Sequence, residues 1–351
     1  MAVYTTIDDP SLFFEAVKYS SNGTAIGSGG LTVTGFDFTP DFLFLKQRDA
    51  DESNGTYNSV RGTTKSLRFN GTDAEDTRTE GITAFNSNGF TCGNDSRINP
   101  GGTHPMIAWG WKAGTTSGLS GGTTTPSAYS INTTSGFGMY AYAGNSTAGA
   151  TIAHGLGKKP SWISCKRLNT TGGWTTYHSS MGATKFAYLD LTDIFDTGST
   201  EWNNTEPTTS VFSLGTHGTV NYSTGTYIAY VWTAIQGFSK FGSYTGNGNA
   251  DGPFINLGFR PAFFLIKNTA NASSEWRIYD NKRDTFNEVD NNLQTHVGDA
   301  EASSGDMDFC SNGVKLRSSD GNVNQDGYAH IFMAFSEAPL VNSKGVPCNA
   351  R

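Results

Sequence analysis

Three heptads, PDFLFLK at 40–46, PSWISCK at 160–166 and PAFFLIK at 261–267, share one pattern: proline, a small or acidic residue, an aromatic, three further residues, lysine. Some twenty residues ahead of each stands a tyrosine leading into a Gly/Asn turn, Tyr19-Ser-Ser-Asn-Gly, Tyr142-Ala-Gly-Asn and Tyr244-Thr-Gly-Asn. A tyrosine-led hexad follows each proline by 17 or 18 residues: YNSVRG (57–62), YHSSMG (177–182) and YDNKRD (279–284). Turn-bearing segments come next, AFNSNGF (84–90), VFSLGTH (211–217) and DFCSNGV (308–314), then MIAWGW (106–111), YIAYVW (227–232) and HIFMAF (330–335). Five landmarks in one order define three copies of a unit of about a hundred residues, and a repeat of this kind dictates the fold.

The copies read as strands. Alternate residues of a strand share a face, so Leu43/Leu45, Ile163/Cys165 and Phe264/Ile266 lie on one side of each heptad. Phe42/Phe44, Trp162/Ser164 and Phe263/Leu265 lie on the other. Both faces are largely apolar, which predicts a central strand covered on two sides. Proline opens the strand, where its missing N–H does least harm, and lysine is expected to close it at the solvent edge. In the last segment Ile107/Trp109/Trp111, Ile228/Tyr230/Trp232 and Ile331/Met333/Phe335 form a large face expected to fill the core. The smaller face, Ala108/Gly110, Ala229/Val231 and Phe332/Ala334, is expected to let a second sheet or loop approach closely.

Many Gly and few Pro (43 and 11 residues), with 13% aromatic and only 16% charged residues, fit short strands joined by tight turns. The expected fold is all-β: three tandem β-sandwich units of the jelly-roll or lectin-like kind. Short helical crossovers are expected near 63–69, 183–191 and 287–294. The units span 15–115, 130–236 and 237–351, with an N-terminal arm at 1–14 and a Gly/Thr/Ser linker at 116–129. Units two and three meet at Gln236-Gly237 with so little chain between them that they are expected to pack together.

The chemistry-bearing residues do not assemble into a reaction centre. The net charge is −7 and the 24 basic residues are scattered, which argues against a nucleic-acid partner. The start MAVYTTIDDP has no positive or apolar leader region and no apolar run approaches 18 residues, so neither a signal peptide nor membrane insertion is expected. Cys92, Cys165, Cys310 and Cys348 lie far apart and read as free thiols, and the six histidines have no ligand-type partners, so no metal site and no cofactor are expected. GLSGG (118–122) matches a nucleophile elbow but lacks the strand and helix that strain one. DADESNG (49–55) reads as a solvated acidic loop; weak Ca²⁺ binding by Asp49, Asp51 and Glu52 stays open, although Val60 fills the twelfth position. Asp190, Asp193, Glu275 and Asp280 form no evident acid/base couple, and no catalytic residue is assigned.

The aromatics suggest binding. Trp174 and Trp276 precede Tyr177 and Tyr279 by three residues, an odd offset that puts the two rings on opposite faces. The tyrosine, present in all copies, is read as the core member. Trp174 and Trp276 are then candidates for exposed ligand-binding rings, with Asn54 in their place in the first copy. The alternative is that they cover a junction between units. In the N-terminal arm Leu12, Phe13 and Phe14 form an apolar set suited to docking on a neighbouring subunit.

The third unit, SKFGSYTGNGNADGPFINLGFRPAFFLIKNTA, with WRIYDNKRDTFN and HIFMAFSEAPLVNSKGVPCNAR, resembles a domain of unknown function found in virion structural proteins of marine tailed phages, especially cyanophages and pelagiphages. HGLGKKPSWI, YHSSMGATKFAYLDLTD and TIDDPSLFFEAVKYSSNG carry the resemblance over nearly the whole chain. It implies a concanavalin-like fold, a location in the virion and no established catalytic residues. The expected function is a non-enzymatic tail-fibre or knob protein that binds a host-surface glycan or other virion proteins, as a homo-oligomer and by analogy a trimer. The alternatives are capsid decoration or tail assembly, and a polysaccharide depolymerase. No coiled coil or collagen-like repeat is present, which favours a compact body over a long shaft.

Overall fold

The computed structural model describes residues 4–348. Three large antiparallel sheets follow one another along the chain, and their strands run in one spatial order. In the first sheet an opening strand (Phe14–Ser20) pairs with the closing strand (Pro105–Trp111), which pairs with the central strand (Phe42–Gln47). Gly55–Asn58, Gly62–Leu67 and Asp76–Thr77 complete it. The second sheet, after an extra edge strand Ala128–Asn132, runs Phe137–Ala143, Thr226–Trp232, Trp162–Arg167, Thr175–His178, Lys185–Tyr188 and Asp196–Thr197. The third begins Ser239–Thr245, Ala329–Pro339, Phe259–Asn268, Arg277–Asp280, Val289–Gln294 and Ala302–Cys310.

The registers coincide as well. Phe42 pairs with Trp111, Trp162 with Trp232 and Phe263 with Phe335. Leu43 faces Tyr57, Ile163 faces Tyr177 and Phe264 faces Tyr279. Pro40, Pro160 and Pro261 therefore occupy equivalent positions, although Pro261 lies inside its strand, at a register irregularity that tolerates the missing N–H.

Three expectations need correction. The stretches read as helical crossovers are the strands Gly62–Leu67, Lys185–Tyr188 and Val289–Gln294, because each pairs with the otherwise open edge of the tyrosine strand. The only α-helix among the described residues is Gly321–Asn324. The span read as a linker is stitched to the second segment: the strand Ala128–Asn132 starts within it, and Gly122 and Thr124 bridge to Ile152. The fourth landmark also slips in the second copy. By pairing, Phe212 corresponds to Phe90 and Val314, not to Phe85 and Phe309.

Each central strand is covered on both sides, as its sequence predicts. Leu43, Leu45, Tyr57 and Ala108 pack with Val33, Phe36 and Phe90 in a core private to the first segment. Equivalent private cores form in the second and third segments. The small face does admit close approach: a Cβ on Gly110 would stand 2.4 Å from the Phe36 ring. The large faces behave differently. Phe42, Phe44, Trp109, Trp111, Trp162, Tyr230, Trp232, Phe263, Met333 and Phe335 belong to one cluster shared by all three segments. Phe42 lies 4.6 Å from Tyr230, Trp111 lies 6.1 Å from Trp232, and Trp111 lies 5.9 Å from Phe263, centroid to centroid. Burying each such side chain contributes about 1.5–3 kcal/mol, so this shared core makes the segments one body.

Candidate functional site

The residues that define the repeat meet at the seams between segments. The lysine of each heptad sits on the face of Phe42/Phe44 and its equivalents, so its stem runs along the shared core and not to solvent. Lys46, Lys166 and Lys267 are all fully buried, contrary to the expected solvent edge. Lys46 donates to the carbonyls of Val297 and Gly298 (both 2.8 Å), Lys166 to Thr72 (2.7 Å) and Gly172, and Lys267 to Thr192 and Ser274 (both 2.9 Å). Each lysine thus reaches into a neighbouring segment: first to third, second to first, third to second. Burial lowers Lys46 and Lys166 to about 8 and Lys267 to about 7, partly opposed by nearby Asp299, Asp190 and Asp193 respectively.

The candidate ligand-binding residues follow the same cycle. Trp174 Nε1 donates to Arg68 O (2.8 Å), Trp276 Nε1 to Tyr188 O (3.1 Å) and Leu191 O (3.0 Å), and Asn54 Nδ2 to Thr295 O (3.0 Å). All three side chains are fully buried, which corrects the reading of exposed rings and places them at the junctions. The opposite-face argument stands: Trp174 and Trp276 line the shared core, Tyr177 and Tyr279 the private ones. Asn54 replaces an indole because it supplies a donor at the same spot.

One position further, each seam has another buried contact. Asn58 Nδ2 donates to Tyr230 Oη (2.7 Å), His178 Nε2 to Phe332 O (3.2 Å), and Trp109 Nε1 to Asp280 Oδ2 (3.2 Å). Backbone bonds from Glu75 N to Leu168 O, Phe195 N to Thr269 O and Glu301 N to Arg48 O complete the set. Four equivalent contacts on each of three seams close the segments into a ring.

His178 is held neutral. Ser180 N donates to its Nδ1 (3.1 Å) while Nε2–H faces Phe332 O, so a second proton has no acceptor. Burial accordingly lowers its pKa to about 4. An unfolded histidine titrates near 6.5, so the unfolded chain binds the extra proton first as pH falls. Stability from His178 is complete above pH 6.5 and is lost toward pH 4, on the order of 3 kcal/mol. Denaturant titrations across that window should show a shallower pH dependence for His178→Gln than for the parent; equal slopes would refute this role.

The third-to-first seam is the one no linker spans, and it has the most polar closure. Arg48 makes two 2.8 Å bonds to the Glu301 carboxylate, and Arg283 bridges Glu301 (3.1 Å) and Asp280 (2.6 Å) with its guanidinium 5.8 Å from the Trp109 ring centroid. The N-terminal arm docks here, on its own chain. Phe14 is buried, stacked 4.9 Å from Phe335 and edge-on to Phe263, and Phe13 lies 6.0 Å from Phe238. Leu12 alone of the proposed docking set is exposed, at 42%. Tyr4 Oη donates to Gly258 O (2.6 Å), Ser343 N donates to Asp8 (2.6 Å), and Lys282 pairs with Glu15 (3.2 Å). Residues 1–3 of the arm lie outside the described residues.

Asp49, of the acidic loop, accepts from Gln47 (2.8 Å) and pairs with His104 (3.1 Å). Sequence reading missed a further repeated device. Asn99, Asn221 and Asn324 accept the N–H of Asn22, Asn145 and Asn247 at 2.8, 2.9 and 2.8 Å. Tyr19, Tyr142 and Tyr244 donate to the carbonyl of the residue just before each clasping asparagine. This clasp explains the tyrosine–turn landmark. Its signal was present as Ile98-Asn99, Val220-Asn221 and Val323-Asn324, just ahead of each closing strand.

A model of the family described as domain of unknown function (DUF7483) matches residues 9–339. No curated protein matches the chain.

Proposed function

The chain belongs to the DUF7483 family, and we propose that it is a non-enzymatic virion protein whose three β-sandwich repeats form one rigid knob that docks to a host-surface glycan or to other virion proteins. The observation that carries this reading is the closed ring of seams. The recurring lysines, the tryptophans with Asn54, and the hexad residues all join segments to one another. A repeat used in this way builds a stiff body, and recognition is left to its outer loops and edges. The virion assignment is supported by the resemblance of the repeat to marine tailed-phage structural proteins. Because Trp174 and Trp276 are internal, the repeat does not offer equal ring platforms for sugar. Avidity comes instead from copies of the chain on a particle, for which a homotrimer is the proposed unit; linked weak sites gain about 10²–10⁴ over single ones.

Docking to other virion subunits, as in capsid decoration, is favoured by Leu191 and Ile194, exposed at 40% and 41% on one loop of the second-to-third seam. Both forms share one test. Gold-labelled antibody against the chain should mark purified particles, at the tail for an adhesin or over the capsid lattice for a decoration protein. Particles without label would overturn the virion assignment.

A further inference from the structure

The three segments finish the outer edge of their sheets differently. In the second, the strand Phe137–Ala143 carries a further antiparallel strand, Ala128–Asn132. In the first and third, the corresponding strands Phe14–Ser20 and Ser239–Thr245 end their sheets with no strand beyond them. The ladder bonds fix which backbone groups face out. Phe238 O and Gly246 N bond to residues flanking the paired stretch of the closing strand, so the even residues turn inward and Phe241, Ser243 and Thr245 turn outward. By the same count Met139 and Ala141 face out, and there they meet Ser130 and Ala128. Among the described residues nothing hydrogen-bonds the outward N–H and C=O groups of Phe241, Ser243 and Thr245.

An open edge is a template for another strand, and proteins blunt it with charge or proline. The first-segment edge is blunted: Glu15 pairs with Lys282 of the third segment at 3.2 Å, and Lys18 stands exposed. The stretch Phe241–Thr245 has neither charge nor proline, and Ser243 and Thr245 are exposed. Burial follows the missing strand. Tyr142 is fully buried in the second segment, where Tyr129 and Ile131 of the added strand pack on the private core. Its counterpart Tyr244 is only half-buried. The third segment keeps an apolar floor at this edge: Gly242 stands where the second has Tyr140, and a Cβ on it would be 2.8 Å from the Phe332 ring. The strand that covers the same edge one segment earlier therefore describes the occupant. We propose that Phe241–Thr245 takes an extended segment of a partner protein as an added antiparallel strand, uncharged and with large apolar residues at alternate positions. Its backbone would supply the bonds and its apolar residues the selectivity, as in other cases of strand addition.

This inference rests on the reading of docking to other virion proteins and names the surface. The probe is a blocked peptide with the sequence of residues 127–133, SAYSINT, titrated into the ¹⁵N-labelled full chain to about 1 mM, which suits the affinity expected of one short strand. Amide shifts should change and hydrogen exchange should slow at Phe241, Ser243 and Thr245. Ser243→Pro removes an outward N–H and no ladder bond, so the chain keeps its fold while peptide binding weakens by about tenfold or more. Ser243→Lys, a charge at the same exposed place, should weaken it as well. No binding by the peptide, or binding indifferent to both variants, would rule the proposal out. Dimerisation of the chain that Ser243→Pro abolishes would assign the edge to a second copy and overturn the partner strand. Particle labelling is a separate readout: labelled particles without peptide binding would remove this surface and leave the virion assignment, and the reverse result would do the opposite.

Discussion

Asp280→Ala is expected to remove about 3–5 kcal/mol of folding stability, more than most single changes in a chain of this kind. Asp280 and Arg283 have side chains with 0% exposure and meet at 2.6 Å. Asp280 also accepts the N–H groups of Lys282 (3.1 Å) and Arg283 (2.9 Å) and the indole N–H of Trp109 from the first segment. Truncation leaves the buried guanidinium with Glu301 as its one remaining counter-charge and the indole donor without its acceptor, and both costs exceed the small net value of the pair itself. They fall on the one seam that chain connectivity does not hold. The double variant Asp280→Leu/Arg283→Met should recover much of the loss, because no charge is left without its partner. Urea unfolding monitored by tryptophan fluorescence measures both. A loss below about 1 kcal/mol for the single variant would mean that the ring is not closed at this seam.

Trp276→Ala should cost about 3–5 kcal/mol, and Trp276→Phe roughly half as much. The indole is fully buried, edge-on to Trp162 at 5.8 Å and near Phe195 at 6.3 Å, with its N–H shared between two carbonyls of the second segment. Alanine leaves a cavity between segments and two carbonyls short of a donor. An exposed ring of the kind expected from the sequence pattern would change stability by no more than about 0.5 kcal/mol. The unfolding midpoint therefore separates a seam residue from a surface platform, and a near-neutral variant would restore the platform.

Much of the fold was legible because the repeat reports on itself. Proline, aromatic, lysine and tyrosine landmarks fall at matching pairings in all three copies, so equal spacing in the sequence marks equal places in the fold. The helical crossovers were misread because residues such as Thr63, Thr64 and Lys65 are weak local signals, and the open edge of a neighbouring strand decides their state. The seam chemistry was harder to see. Arg48, Glu301 and Arg283 are unremarkable in the sequence and lie up to 253 residues apart. Nothing local predicts that they meet. The Asn99, Asn221 and Asn324 clasp was visible as a repeated dipeptide, but its meaning required the turn it holds.

The sequence by itself determined the all-β class, the threefold repeat and the two apolar faces of its central strands, since alternation along a strand is a local property. Only the tertiary structure decided what covers each face. Leu43 and its equivalents look into a private core, while Phe42 and its equivalents look into one shared by all three segments. A second, neighbouring segment buries apolar surface as well as a second sheet does, and periodicity is the same in either case. Lys46, Trp174 and Trp276 followed their faces inward for that reason, so the chain became a closed body instead of a string of separate units.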